Sequence, residues 1–262
     1  MIPLKDNVRL AHVPIVTIAL IVANVVAYLV ASAHGGSLIG GPTDETLVRY
    51  GAIPYEFTHF GQHCDLGLSG LGQSVLCSGQ AGVAGTPRPQ PATWLSAFTA
   101  IFLHVNVLQL VLNMVFLAVF GTSVEDAMGR VRFVCFFLLG GLAAVAVAIV
   151  LAPNSVDPVL GAGAAIAGVL GAYAVLYPRG RILSVVLLPF FFTIVEVPAW
   201  AMLALWFIFN AVLGLLGAAS AFGAGAGVAY GTYVGSFAFG LLAARAFARR
   251  HSGELATVGP SE

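Results

Sequence analysis

Long apolar runs separated by short polar stretches dominate the chain. A helix that crosses a bilayer needs about 20 mostly apolar residues, and six stretches meet that length. They are Val13–Ala33, Trp94–Phe120, Val131–Ala152, Pro158–Tyr177, Val197–Leu216 and Ala226–Phe247, all with soft ends. The fifth lies inside a longer apolar block, Ile182–Ala218. The first half of that block is broken by Pro189, Glu196 and Pro198, so it reads as a membrane-surface or hairpin extension of the fifth span, with a short re-entrant piece as the alternative. Val13–Ala33 also has marks of a signal peptide, with Lys5 and Arg9 ahead of it and Ala31-Ser32-Ala33 at its end. Its apolar run is longer than the roughly 7–15 residues of such segments, so it reads as a retained span.

Composition narrows the class. Hydrophobic residues make up 59% of the 262 positions and charged residues only 8%. A soluble globule of this size could not cover its surface with so few charges. Eleven basic and eleven acidic side chains cancel, which excludes the basic surface that nucleic acid needs. The chain is also too apolar to be disordered. A multi-pass membrane protein, with the lipid bilayer as its surroundings, is what remains. Threading six spans from a cytoplasmic N-terminus puts Lys5, Arg9, Arg130, Arg132, Arg179, Arg181, Arg245, Arg249 and Arg250 on the cytoplasmic side and only Arg49 and Arg88 outside. That asymmetry satisfies the positive-inside rule and places both termini in the cytoplasm. The expected organisation is a cytoplasmic N-terminus over 1–12, a membrane domain over 13–250 and a cytoplasmic tail over 251–262. The fold class expected is all-α. The alanine-, glycine- and arginine-rich composition fits the plasma membrane of a high-GC bacterium.

The longest stretch outside the spans, 35–93, is rich in Gly, Pro, Ser and Thr and reads as a flexible outer loop. Cys64 and Cys77 both fall in it, where a disulfide can persist; two free thiols are the alternative. Cys135, in the third span, reads as a small core residue. His59, His63 and Cys64 lie close together but lack a fourth metal ligand. Neither metal nor cofactor is expected.

Polar side chains inside a span are costly and mark function or a packing bond. The second span carries His104, Gln109 and Asn113, the last two four residues apart and so on one helix face. The stretch from Phe102 to Met114, followed by Val124-Glu125-Asp126 and Gly129, resembles the second span of rhomboid intramembrane serine proteases. Further resemblance lies in Tyr50-Gly51-Ala52-Ile53-Pro54, Trp94, Gly168-Val169-Leu170-Gly171-Ala172-Tyr173, Tyr177-Pro178-Arg179, Val197-Pro198-Ala199-Trp200 and Leu205-Trp206-Phe207. Gly235, Ser236 and Gly240 match small positions that let the sixth span approach the fourth. The resemblance covers roughly 13–250 and implies a six-helix rhomboid fold with a long first outer loop.

The resemblance also implies a catalytic apparatus, and here the chain departs from it. Rhomboids cut peptide bonds in or beside a membrane helix with a Ser–His dyad. The serine comes from Gly-x-Ser-Gly at the start of the fourth span and the histidine from the sixth, two residues before a Gly. A His and an Asn of the second span hold the oxyanion. This chain reads Gly161-Ala162-Gly163-Ala164, so Gly163 stands at the serine position and Ala164 at the next glycine. Tyr233 stands at the histidine position, and Gln109 replaces the oxyanion histidine beside a retained Asn113. A serine needs a base to become a nucleophile, and a phenol with a pKa near 10 is a poor one at neutral pH. Loss of both groups in a serine protease costs on the order of 10⁶ in turnover. No catalytic residue is therefore intact. His104, Ser236, Thr232 and Ser155 read as packing or capping residues, Asp157 as a turn residue, and Glu196 as an interfacial partner of Arg179 or Arg181. The expectation is a pseudoprotease that binds transmembrane-helix clients without cutting them. Against it stand a protease with an unidentified nucleophile and a transporter, the latter poorly supported because no inverted repeat is visible.

Overall fold

The structure, a computed structural model, describes residues 2–69, 72–80, 90–187, 192–219 and 224–249. Arg88, Pro189, Arg250 and the expected tail over 251–262 lie outside the described residues. The architecture is mostly helical. Ile15–Ala33 (α1), the continuous helical stretch Val107–Met128 and Arg130–Leu151 (α7) are each long and apolar enough to cross a membrane. The shorter helix Gly163–Leu176 (α8) packs centrally, against Ala199–Ala219 (α9) and Ala224–Phe247 (α10). Small residues set that packing. A Cβ on Gly240 would run into the Gly168 carbonyl, and one on Gly171 into the Phe237 carbonyl, so α8 and α10 approach backbone to backbone. Gly235 faces Val147 of α7 instead, a correction to its expected place against the fourth span. Ser236 lies between the two neighbours and donates to the Gly140 carbonyl of α7 at 2.9 Å.

The expected second span is two pieces. Thr93–Thr99 (α4) runs into a tight 3₁₀ turn over Ala100–Phe102, the backbone leaves the helix over 103–106, and a new helix starts at Val107. The Asn106 side chain caps this helix by accepting from Gln109 N–H at 2.9 Å. The stretch then continues as Val107–Phe116 (α5), a wider turn over Leu117–Gly121 and Thr122–Met128 (α6). The reason the break is invisible in hydropathy is that both pieces are apolar. His104 therefore sits in the break rather than within a span.

The fourth span is shorter than expected. Its 14 helical residues rise about 21 Å, against a hydrocarbon core of about 30 Å. Residues 152–162 make up the difference as irregular backbone, which requires partners at that depth. It finds them: Ala52 and Val159 exchange backbone bonds, and Gly161 N–H donates to the Ala100 carbonyl at 2.8 Å.

Two small antiparallel sheets correct the all-α expectation. Ile2–Asp6 (β1) pairs with Arg181–Leu187 (β4), which pairs with Phe192–Pro198 (β5). This is the hairpin extension ahead of α9; its β-branched residues favour strands. Arg181 lies 3.5 Å from Glu196 across that pair. The other sheet, Cys64–Ser69 (β2) with Gly72–Cys77 (β3), belongs to the first loop. That loop is folded over its described residues. It carries Asp44–Tyr50 (α2) and Pro54–Thr58 (α3), buries Ala52 and Ile53 completely, and bonds to the α7–α8 connection through Tyr55 N–H to Ser155 and Thr58 Oγ1 to Pro153. A Cys64–Cys77 disulfide closes its hairpin. Cys135 is exposed on α7, not in the core.

Candidate functional site

α8 begins at Gly163 in the middle of the bundle, because the turn before it is held by Gly161. That residue has φ +94°, a conformation L side chains avoid, and a Cβ there would lie 3.3 Å from Gln109 Nε2. α5 presents Gln109 and Asn113 on one face toward this turn. α10 brings Tyr233 from the other side. The three elements meet at Gly163. A Cβ on Gly163 would stand 3.0 Å from the Tyr233 hydroxyl and 3.3 Å from Asn113 Oδ1. The phenol thus fills the space into which a side chain at 163 would project.

The polar groups around it are only partly satisfied. Gln109 Oε1 accepts from Val105 N–H at 2.9 Å, which fixes the amide so that its NH₂ end faces Gly161 and bonds the Tyr233 oxygen. Asn113 Nδ2 is buried with no hydrogen-bond partner among the described residues. His104 is fully buried; Nδ1 faces the Phe102 carbonyl at 3.3 Å and Nε2 has no partner among the described residues. An unpaired buried donor carries a cost of about 1–3 kcal/mol, so Asn113 Nδ2 is the group here most ready to meet an incoming carbonyl.

Other hydroxyls are engaged. Ser236 is committed to Gly140, and Thr232 donates to Ala229 O at 2.6 Å. Asp157 N–H donates to Ser155 Oγ at 3.2 Å. Neither Ser236 nor Thr232 faces a base. Ala164 continues α8 beside Gly163, and Gly240 lies farther along, where α10 crosses α8 at Gly168. On the remaining side α9 closes on α10 through aromatic contacts, Trp206 with Tyr233 at 6.2 Å and Phe207 with Phe237 at 5.1 Å between centroids. The sequence marked Gly163, Tyr233, Gln109 and Asn113, and the structure brings all four together. It gives no hint of Trp206 as the aromatic that flanks Tyr233, and the cap Asn106 was readable only as a polar residue just ahead of an apolar helix.

The Rhomboid domain family matches residues 91–250, well over half of the chain. This chain belongs to the rhomboid family. Membership makes it a multi-pass membrane protein, and the matched region holds α4 through α10, which contain all four residues of the cluster. Among named rhomboid relatives, the presenilin-associated rhomboid-like protein A, mitochondrial, of Danio rerio is 36% identical over 90 residues. That alignment covers 34% of this chain and 23% of the zebrafish protein, so the similarity extends over less than a quarter of that relative.

Proposed function

We propose that this rhomboid-family protein is a pseudoprotease that holds transmembrane segments of client proteins without cutting them. The observation that carries the reading is the Tyr233 hydroxyl lodged against Gly163. A glycine offers no nucleophile, and the phenol occupies the place where one would act. The rest of the scaffold then serves binding: the break before α5, the start of α8 at Gly163, the described part of the first loop and an Asn113 Nδ2 that has no partner among the described residues and can donate to a backbone carbonyl. In this reading α1, Val107–Met128, α7, α8, α9 and α10 are the six spans. The end of the bundle carrying β1, the α6–α7 junction and the end of α10 faces the cytoplasm of a bacterial cell. Clients with helices weakened by Gly and Pro would enter beside α9, where Trp206 and Phe207 meet α10 through aromatic contacts.

The test is capture of a tagged reporter whose transmembrane helix contains Gly and Pro, cross-linked to the co-expressed protein and sized on a gel. Full-length reporter in the complex is the expected result. A shortened reporter that depends on the protein, together with labelling by a serine-reactive phosphonate, would overturn the proposal and demand another nucleophile.

A further inference from the structure

Where α1 begins, α6 meets α7 and α10 ends, the bundle leaves a cavity of about 500 Å³. Its walls carry Arg130, Arg132 and Arg249, together with Glu125 and Asp126. The two carboxylates are already consumed. Glu125 accepts from Val16 N–H at 3.0 Å and from Thr17 N–H and Oγ1 at 2.7 Å each. Asp126 accepts from Ala11 N–H at 3.0 Å and from His12 N–H and Nδ1 at 3.0 and 2.9 Å. Both carboxylates therefore anchor the start of α1. Arg132 donates to the Phe247 and Ala248 carbonyls. The Arg249 guanidinium lies over Gly129, whose φ of +80° and missing Cβ make room for it. The Arg130 guanidinium is exposed and has no hydrogen-bond or ion-pair partner among the described residues. α7 starts here as well, without a side-chain cap on its first turn, and adds the positive end of a helix dipole.

We propose that this cavity binds the phosphate of an anionic phospholipid headgroup. Arginine recognises phosphate through paired N–H donors, and basic pockets between membrane helices bind headgroups at this level. The lipid source is favoured over free phosphate by the rim. Val13 is 64% and Val131 78% exposed beside the arginines, and both stand where spans begin, so an acyl chain leaving the cavity meets apolar side chains. The site is separate from the Gly163–Tyr233 cluster and does not depend on how that cluster functions.

The experiment places the full chain in nanodiscs of equal phosphatidylglycerol and phosphatidylcholine and counts the lipids retained by native mass spectrometry. Retention of phosphatidylglycerol above phosphatidylcholine is expected. R130Q, at an exposed position without a bonded partner, is expected to lower that preference about five-fold, and R130Q/R249Q by about the same factor again. R245Q, on α10 outside the cavity, is expected to leave it unchanged. Equal retention of both lipids, or an equal loss in R130Q and R245Q, would overturn the proposal. Displacement of phosphatidylglycerol by millimolar inorganic phosphate, with the phosphate itself retained, would overturn the lipid assignment in favour of free phosphate.

Discussion

At the residue scale, the cluster turns on one exchange of volume. Gly163 gives up a side chain and Tyr233 supplies one, so the space stays filled. G163S alone puts its Cβ 3.0 Å from the phenol oxygen and 3.3 Å from Asn113 Oδ1, and its hydroxyl has no imidazole to accept its proton. No shortened reporter is expected from G163S or from Y233H; the pair G163S/Y233H supplies both groups, and detectable cutting on the same gel is expected only there. Y233A opens a cavity at a packed position and is expected to destabilise by about 3 kcal/mol, against well under half of that for Y233F, as read from unfolding under steric trapping in bicelles. The departures at 109, 163 and 233 were legible because a motif shows what is missing. How closely Tyr233 meets Gly163 depends on α8 and α10 meeting at a particular rotation, which no motif states.

At the scale of elements, the clearest lesson is the split near 103–106. An unbroken apolar run from Trp94 to Phe120 masks a change of direction, and only Asn106, with an oxygen to offer the next turn, betrays it. N106A is expected to cost about 1 kcal/mol, measurable by the same trapping method, and to loosen Gln109 with the cap. The apolar run from Ile182 to Pro198 was readable as the hairpin extension that pairs β4 with β5. Its length suits either secondary structure, and β-branched residues arbitrate for strand. The first loop hid its order because turn residues are common both in folded hairpins and in flexible chain. Its hairpin is closed across 13 residues of sequence by Cys64 and Cys77. C64S/C77S is expected to weaken that element by about 3 kcal/mol and to expose the region around 60–80 to limited proteolysis while α7, α8 and α10 stay protected.

At the scale of the whole molecule, hydropathy and the distribution of arginines sufficed for a multi-pass helical protein, because the bilayer permits few alternatives. How the loop outside the spans is fastened to them could not be read from either. One fastening is pH-dependent. Glu56 is buried in the first loop, and desolvation raises its carboxyl above the usual range, opposed by the Cys64 N–H bond and then by His63. A carboxyl raised on folding is held more tightly as the acid. Its contribution is fully present below the unfolded value near 4.5 and is lost as pH rises through the folded value. The loop is therefore expected to melt at a higher temperature near pH 4 than near pH 7 as far as this group is concerned. E56Q, which keeps an oxygen for Cys64 but does not titrate, is expected to have a melting temperature that varies less with pH across that range than the wild-type's.

The N-terminal strand has a further consequence, one of time. Ile2–Asp6 finds its partner in Arg181–Leu187, about 175 residues downstream, and a ribosome adding roughly 5–20 residues per second needs about 10–35 s to deliver it. Throughout that interval four hydrophobic segments, α1, Val107–Met128, α7 and α8, are made while Ile2–Asp6 waits unpaired. A strand made before all of these helices is thus placed after four of them, and its docking onto β4 reports that synthesis has passed α8.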